Sequence, residues 1–152
     1  MENLLEKFYT AFSKQDAETM ASCYHKDVVF EDPAFGKLHG KDAGDMWRML
    51  CKNGKDLEIT FSEPIADEEK GLVKWEAKYT FSQTGRSVHN IVLAKFKFKD
   101  GKIIEHTDTF NLYAWAKQAM GFKGILLGNT QFFKKKLNQT TTSTLKKFQE
   151  KL

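Results

Sequence analysis

The apolar residues of this chain repeat with two different periods, which divide the sequence into a helical part and a part made of strands. Up to residue 53 they recur every three or four residues, the spacing that keeps them on one face of a helix. This spacing predicts a first helix through Leu4, Leu5, Phe8, Ala11 and Phe12. Asp16 suits the N-cap of a second, short helix that carries Met20, Cys23 and Tyr24. A third helix is predicted over residues 41–51.

Between the second and third helices we expect a strand over residues 28–32, which Pro33 ends, and then a loop over residues 35–40. From residue 57 onwards apolar and polar residues alternate, which is the period of a strand with one buried face. The alternation predicts strands near residues 57–61, 73–81 and 88–98. Asn90 interrupts an otherwise apolar face. Because a buried amide needs partners, Asn90 should contact either Asp108 on the next strand or a ligand oxygen.

The last strand carries the most informative polar residues. It follows Asp100-Gly101, a dipeptide that suits a two-residue hairpin turn. Period-two alternation then predicts one shared face for Ile104, His106, Asp108 and Phe110. Residues two apart on a strand are separated by about 6.5–7 Å, so His106 and Asp108 are neighbours. A polar pair on an apolar face is either a satisfied structural pair or the floor of a site, and we favour the site.

Helices followed by long antiparallel strands predict an α+β fold, in which a curved antiparallel sheet forms a cone closed by the N-terminal helices. After Phe110 we expect a short helix over residues 112–120 and an apolar loop punctuated by Gly121, Gly124 and Gly128. An additional amphipathic, Lys-rich C-terminal helix over residues 131–152 should pack on the cone. Residues 1–152 are then a single domain, a size that supports one core.

Charge and composition narrow the function classes. The net charge is +4, but residues 131–152 hold six Lys against Glu150, which is +5, so the rest of the chain sums to 4 − 5 = −1. This distribution favours a solvated lysine face over a nucleic-acid footprint. No run approaches the roughly 18 apolar residues of a membrane span, and no signal peptide is recognisable. Cys23 and Cys51 have no metal-binding or disulfide spacing. We therefore expect a cytoplasmic protein with neither a nucleic-acid nor a membrane partner.

The order of elements, together with three segments, resembles the nuclear transport factor two-like superfamily. The segments are FEDPAFGKLHG (30–40), VHN (88–90) and DGKIIEHTDTFNLYAWAKQAMG (100–121). Within the superfamily the chain is most similar to the SnoaL-like polyketide cyclase and ketosteroid isomerase branch. The resemblance covers nearly the whole chain and implies a cone of curved sheet, usually in a homodimer. The superfamily includes isomerases, cyclases, epoxide hydrolases, dehydratases and members that only bind, so the fold does not assign a reaction.

The resemblance also implies roles for individual residues. In the cyclase branch an Asp at the position of Asp108 is the general acid/base, with a His at the position of His106. Asp32 matches a position that commonly lines the pocket. The isomerase branch uses a Tyr and a protonated Asp to hold an enolate oxygen. For that Tyr the candidates here are Tyr24 and Tyr79, and no motif chooses between them.

The resulting hypothesis is a cofactor-independent isomerase, cyclase or hydratase that acts on an apolar carbonyl compound. Asp108 is its general base, and His106 orients the substrate oxygen or shares the proton. The expected ligand contacts are Asp32, Asn90, Tyr24, Phe30, Trp47, Trp75, Tyr79 and Phe110. Scattered His residues and the absence of H-E-x-x-H argue against a metal. The alternatives are a ligand-binding protein without catalysis and an interaction module that uses outward residues such as His89 and Lys95.

Overall fold

A curved sheet of seven strands that does not close forms the frame of the molecule. The computed structural model describes residues 1–152 and has an α+β architecture, as the sequence predicts. The helices are α1 (Glu2–Ser13), α2 (Ala17–Ser22), α3 (Lys41–Asn53), α4 (Leu112–Met120), α5 (Phe122–Leu127) and α6 (Gln131–Gln149). The strands are β1 (Tyr24–Asp32), β2 (Gly36–His39), β3 (Glu58–Phe61), β4 (Ile65–Ala66), β5 (Lys70–Phe81), β6 (Arg86–Lys99) and β7 (Lys102–Thr109).

The order of strands brings the two ends of the sheet-forming sequence together. The order is β2-β1-β7-β6-β5-β3, with β4 paired to β5. All neighbours are antiparallel except β1 and β7, which run parallel, so the sheet is mixed and not purely antiparallel as the sequence suggested. Residues 24–32 therefore lie directly beside residues 102–109.

The alternation predicted for the long strands is confirmed. On β5, Val73, Trp75 and Ala77 are buried while the residues between them are partly or fully exposed. On β6 the same alternation holds, with buried residues Val88, Val92, Ala94 and Phe96. One face of the sheet thus faces the core, which we call the inner face, and the other faces outward.

The face predicted for β7 is wrong at one position. Phe98 lies opposite Ile103 and Lys97 lies opposite Glu105, so Ile104 is an extra residue in this strand, a β-bulge. The bulge places Ile103 on the inner face with His106, where Ile103 is fully buried and Ile104 is only half-buried. Counting by twos from the sequence cannot detect such an insertion.

Three local predictions also differ from the structure. Tyr24 begins β1 and does not belong to the second helix, which ends at Ser22. The predicted loop over residues 35–40 contains β2, because the chain reverses after Asp32 and pairs with β1. The predicted loop after Gly121 contains α5. In each case a tertiary neighbour, not the local sequence, decides the conformation.

Helices α1 and α3 fill the concave side of the sheet with aromatic side chains. Phe12 contacts both Trp47 and Trp75, and Phe8 packs edge-on against His106. The C-terminal helix α6 packs on its own chain: Leu145 is buried in the main core, and Asn138 donates hydrogen bonds to the carbonyl oxygens of Pro33 and Ala34. None of the helices has the length and apolar content needed to cross a bilayer.

Candidate active site

The parallel pairing of β1 with β7 brings two carboxyl groups together. Phe30 lies opposite His106, and Glu31 lies opposite Thr107. One residue further along this register, Asp32 and Asp108 are neighbours. Both follow an inner-face residue by two positions, so both belong to the inner face. The site therefore has two acidic groups that come from adjacent strands.

Asp108 stands at one end of a buried hydrogen-bond chain. The indole Nε1 of Trp47 donates to the Tyr24 hydroxyl oxygen at 2.8 Å. The Tyr24 hydroxyl is 2.7 Å from His106 Nδ1, and His106 Nε2 is 2.9 Å from Asp108 Oδ1. With the imidazole proton on Nε2, each group donates to the next, ending on the Asp108 carboxylate. Every polar side-chain atom of this hydrogen-bond chain, from Trp47 to His106, has a partner, and these bonds fix the geometry of the network.

The two oxygens of Asp108 have different surroundings. Oδ1 accepts from His106 and also from the Trp75 indole at 3.3 Å. Oδ2 has no protein partner and is not among the fully enclosed polar atoms. Asp108 is 4% exposed and His106 is 0% exposed. Asp108 therefore keeps one oxygen free for proton transfer, whereas both nitrogens of His106 are engaged.

Asp32 combines a turn role with an unusual acidity. Its Oδ1 accepts from the backbone N–H groups of Ala34 and Phe35, at 2.9 and 2.6 Å, and so stabilises the turn between β1 and β2. Burial, assisted by the negative charge of Asp108, raises the pKa of Asp32 to about 7 against the two backbone hydrogen bonds, which lower it. The sequence alone suggested the turn role or the pocket role, and the geometry is compatible with both.

Four half-buried side chains form what we call the mouth: Asp32, Tyr79, Asn90 and Phe110. Burial raises the pKa of the Tyr79 hydroxyl, which accepts from the Trp115 indole at 2.7 Å, and the Asp32 charge raises it too. Asn90 lies opposite Ala77, diagonally next to Tyr79 on the inner face. Ala94, not Asn90, lies opposite Asp108, so a direct Asn90–Asp108 contact across the ladder is absent.

The other sequence-predicted contacts lie deeper. Tyr24, Trp75, His106 and Asp108 form what we call the floor of the cone. Phe30 is fully buried and Trp47 is 2% exposed, and their rings pack against each other and against His106. These two residues support the hydrogen-bond chain from within the core.

Tyr9 is a candidate that the sequence reasoning missed. Its ring is fully buried against Trp75 and Phe96, and its hydroxyl is the one enclosed side-chain polar atom without a partner. Burial raises the pKa of Tyr9 well above 10.0, and the charge of Asp108 adds to the shift. The available signal was a hydroxyl on the apolar stripe of α1, four residues after Leu5.

No cluster of three or more His, Cys, Asp or Glu side chains is arranged to hold a metal ion. His106 and Asp108 are both ligand types, but each is already engaged in the hydrogen-bond chain. Cys23 and Cys51 are buried free thiols on separate elements. The chemistry that the site supports directly is proton transfer between carboxyl groups in an apolar interior.

The chain matches the family model of the SnoaL-like domain over residues 5–106, about two thirds of its length. The chain therefore belongs to the SnoaL-like family. The matched stretch ends at His106, two residues before Asp108, so it includes most of α1, all of β1 and α3, and most of the sheet. No curated protein matches the chain at a significant level.

Solved structures share the fold at low sequence identity. An LEH-like epoxide hydrolase from M. tuberculosis has a TM-score of 0.62 and 22% identity, covering 83% of this chain and 89% of that one. A candidate polyketide cyclase from Xanthomonas campestris has a TM-score of 0.64 and 18% identity, covering 76% and 93%. A hypothetical protein from Catenulispora acidiphila with a ketosteroid isomerase-like fold has a TM-score of 0.66 and 9% identity, covering 77% and 92%. These similarities establish the nuclear transport factor two-like fold.

Proposed function

We propose that this protein is a cofactor-independent acid–base catalyst acting on an apolar small molecule with a C–H bond next to a carbonyl group. The observation that carries the proposal is the pair of carboxyl groups, Asp32 and Asp108, at neighbouring inner-face positions of β1 and β7. Their environments differ in a way that suits opposite roles in proton transfer. Isomerisation, cyclisation and hydration all need one group to remove a proton and another to return it.

Asp108 is the base. Its Oδ1 is held by His106 and Trp75, and its Oδ2 is free to accept a proton from the substrate carbon. When Asp108 becomes protonated, the hydrogen-bond chain through His106 and Tyr24 keeps the carboxyl group in place. His106 is thus a positioning residue, since neither of its nitrogens is free to reach a substrate.

Asp32 is the acid. With its pKa raised to about 7, its carboxyl group carries a proton in a substantial fraction of molecules near neutral pH. The negative charge of Asp108 repels a negative charge on Asp32, which favours retention of the proton by Asp32. The proton that Asp108 removes from the substrate is thus balanced by a proton that Asp32 donates to the substrate.

Three polar groups are available to hold a substrate oxygen. The Tyr9 hydroxyl has no protein partner, the Asn90 amide faces the same interior, and the Tyr79 hydroxyl is half-buried at the mouth. A hydrogen bond from Tyr9 to a developing enolate oxygen stabilises negative charge where water is excluded. The aromatic surroundings, including Trp75 and Phe110, favour an apolar substrate.

Fold relatives support this class without choosing a reaction. An epoxide hydrolase and a candidate polyketide cyclase share the fold, and at 22% and 18% sequence identity the activity of neither transfers to this chain. The proposed carboxyl pair performs acid–base steps common to both kinds of chemistry. The substrate class must therefore be found by experiment.

The test is a ligand panel of apolar ketones, aromatic polyketides, steroids and epoxides, followed by thermal shift and tryptophan fluorescence. A ligand at about 100 times its Kd stabilises the fold by roughly 2.7 kcal/mol, a readily measured change. For any ligand that is turned over, we expect Asp108→Asn to lower kcat by about 10²–10⁴-fold while binding is retained. Glu105→Gln is the matched control, because Glu105 lies on the outer face of the same strand. Unchanged turnover in Asp108→Asn would refute the proposed base.

A second candidate, ligand binding without catalysis, is favoured by Tyr79, Asn90 and Phe110 of the mouth, half-buried side chains that offer aromatic and amide contacts to a ligand. It predicts that Asp108→Asn changes affinity and that no panel compound is converted. An interaction module predicts indifference to Asp108 and sensitivity to the outward residues His89 and Lys95.

We further propose a homodimer through the outer face of the sheet. Leu72, Ile91 and Leu93 are exposed there, on β5 and β6, and alternate across the strands with charged residues. Exposed apolar side chains grouped on one face of a sheet favour association. Sedimentation velocity should show a dimer that Ile91→Asp dissociates and that Leu152→Asp, a change at an exposed residue outside the sheet, leaves intact. A wild-type monomer at all concentrations would refute the dimer.

A further inference from the structure

The C-terminal quarter of the chain concentrates positive charge more sharply than the total suggests. Residues 109–149 contain seven Lys and no Asp or Glu. Since the whole chain has a net charge of +4, the remaining residues sum to 4 − 7 = −3. An acid-free segment of this length, covering α4, α5 and α6, is a cationic surface on an otherwise acidic molecule.

Within this segment large apolar side chains face the solvent. Phe122, Ile125 and Leu126 of α5 are 74%, 52% and 62% exposed, and Phe132 at the start of α6 is 67% exposed. The three α5 residues are spaced i, i+3 and i+4, which places them on one side of the helix. Four lysines that are close to these residues in sequence are also exposed: Lys123, Lys134, Lys135 and Lys136. We call these eight residues the α5 corner.

Packing of α5 against α4 determines which side of α5 is exposed. Gly124 is buried, and a side chain there would collide with the carbonyl group of Ala116 on α4. A Cβ at Gly128 would come within 2.7 Å of the Ala116 side chain. The glycine side of α5 is therefore pressed on α4. The bulky apolar side has no neighbour to cover it.

We propose that the α5 corner binds the surface of an anionic lipid bilayer. Apolar side chains that insert at the level of the headgroups, flanked by lysines, are the two features that peripheral membrane binding combines. A symmetric contact with a second copy would bring the same lysines face to face, so like charges disfavour it. The contact is peripheral, because no helix here can cross a bilayer. It reverses the expectation from the sequence that the protein has no membrane partner.

The proposal rests on surface residues alone and is independent of the acid–base site. The test is flotation of the full-length protein with phosphatidylcholine vesicles that contain or lack phosphatidylserine. We expect binding only with phosphatidylserine, and weaker binding at high salt. Each lysine near an anionic surface contributes roughly fivefold in partitioning, so Lys134→Glu/Lys135→Glu/Lys136→Glu should lower it by at least about 100-fold.

Matched controls distinguish binding through the α5 corner from a general effect of charge or hydrophobicity. Lys14→Glu/Lys26→Glu/Lys55→Glu makes the same charge change at three exposed lysines outside the acid-free segment and should retain most binding. Phe122→Ser/Leu126→Ser should abolish flotation. Ile65→Ser/Leu152→Ser, at residues that are 69% and 66% exposed, should not.

Three results would overturn the proposal. The first is an absence of flotation with either vesicle. The second is self-association that Phe122→Ser/Leu126→Ser abolishes and Ile91→Asp does not, because a second copy then covers the α5 corner. The third is a protein that does not float with vesicles but binds soluble polyglutamate, with binding that persists in Phe122→Ser/Leu126→Ser. That result would indicate an acidic protein partner.

Discussion

The two carboxyl groups of the cone lie on the same face of adjacent strands and yet are held in different ways. At the floor, Asp108 accepts from side chains, the His106 imidazole and the Trp75 indole, which belong to different strands. At the mouth, Asp32 accepts only from the backbone of its own turn, at Ala34 and Phe35. One group is thus positioned by tertiary packing and the other by local chain geometry.

The environment, not the residue type, therefore sets the chemistry of each carboxyl group. Asp108 ends a chain of side-chain donors that begins at Trp47 and runs through Tyr24 and His106. Asp32 is half-buried beside a like charge with two backbone donors, and its pKa rises to about 7.

His106→Ala should produce the largest loss of stability, about 3–5 kcal/mol. It leaves Tyr24 and Asp108 without their shared partner in the core and opens a cavity there. The matched control is His89→Ala. His89 pairs with Glu76 at 2.7 Å on the exposed outer face, where a pair contributes less than about 1 kcal/mol. Urea unfolding measures both, and equal losses would mean that the floor is not a satisfied network.

Asp32→Asn should change how stability depends on pH. The folded pKa of Asp32, about 7, lies above its ordinary value of 3.8, so the folded state binds more protons between these values. The contribution of Asp32 to the free energy of unfolding is therefore fully present below about pH 4 and is lost as the pH rises through 7. Relative to wild type, the variant should gain roughly 2–4 kcal/mol between pH 5 and pH 8.5.

Asp56→Asn is the control of opposite sign for that experiment. Hydrogen bonds from Thr80 hold the pKa of the exposed Asp56 below its usual value. Its contribution is present above pH 4 and is lost as the pH falls through the folded pKa. Thermal unfolding at several pH values distinguishes the two. A pH profile of Asp32→Asn parallel to that of wild type would show that Asp32 titrates normally.

Asn138→Ala tests how far α6 supports the mouth. The Asn138 amide donates to the carbonyl oxygens of Pro33 and Ala34, directly after Asp32. Losing both bonds should cost about 1–2 kcal/mol, because two carbonyl groups lose a partner. Gln139→Ala removes an exposed neighbour on the same helix and should change the free energy of unfolding by less than about 0.5 kcal/mol. Equal effects of the two variants would mean that α6 does not brace the turn.

Tyr9→Phe should have the smallest effect on stability, between no change and a gain of about 1 kcal/mol. The Tyr9 hydroxyl is buried without a partner, so its removal abolishes a desolvation cost and breaks no hydrogen bond. Tyr24→Phe removes a hydroxyl that is bonded to Trp47 and His106, and should cost about 1–3 kcal/mol. If Tyr9→Phe also lowers turnover of a substrate found in the panel, the unpartnered hydroxyl has a functional reason.

The fold was largely predictable, because its elements follow from local periodicity. The stripe of α1, the alternation of β5 and β6, and the pairing of His106 with Asp108 two residues apart all appear in the structure as the sequence indicates. The mistakes came where two distant segments meet. Strand β2 exists because β1 offers it an edge, and α5 is helical because glycines let it approach Ala116.

The site was predictable in part for the same reason. His106, Asp108 and Asp32 carry visible signals, since each is a polar residue at an inner-face position of a strand. The connection of His106 to Tyr24 and Trp47 has no such signal, because it joins residues 82 and 23 positions apart. Tyr9 was hidden because an aromatic residue on an apolar helix face is ordinarily part of a core.

The sequence by itself determined the α+β class, the inner and outer faces of the long strands, and the polar residues that belong inside, since these depend on side-chain periods of 3.6 and 2. Only the tertiary structure decided that β1 runs parallel beside β7. That pairing makes Asp32 a neighbour of Asp108 and gives the two acids different environments. The physical reason is that burial and charge coupling depend on distance in space, which the spacing along the chain does not specify.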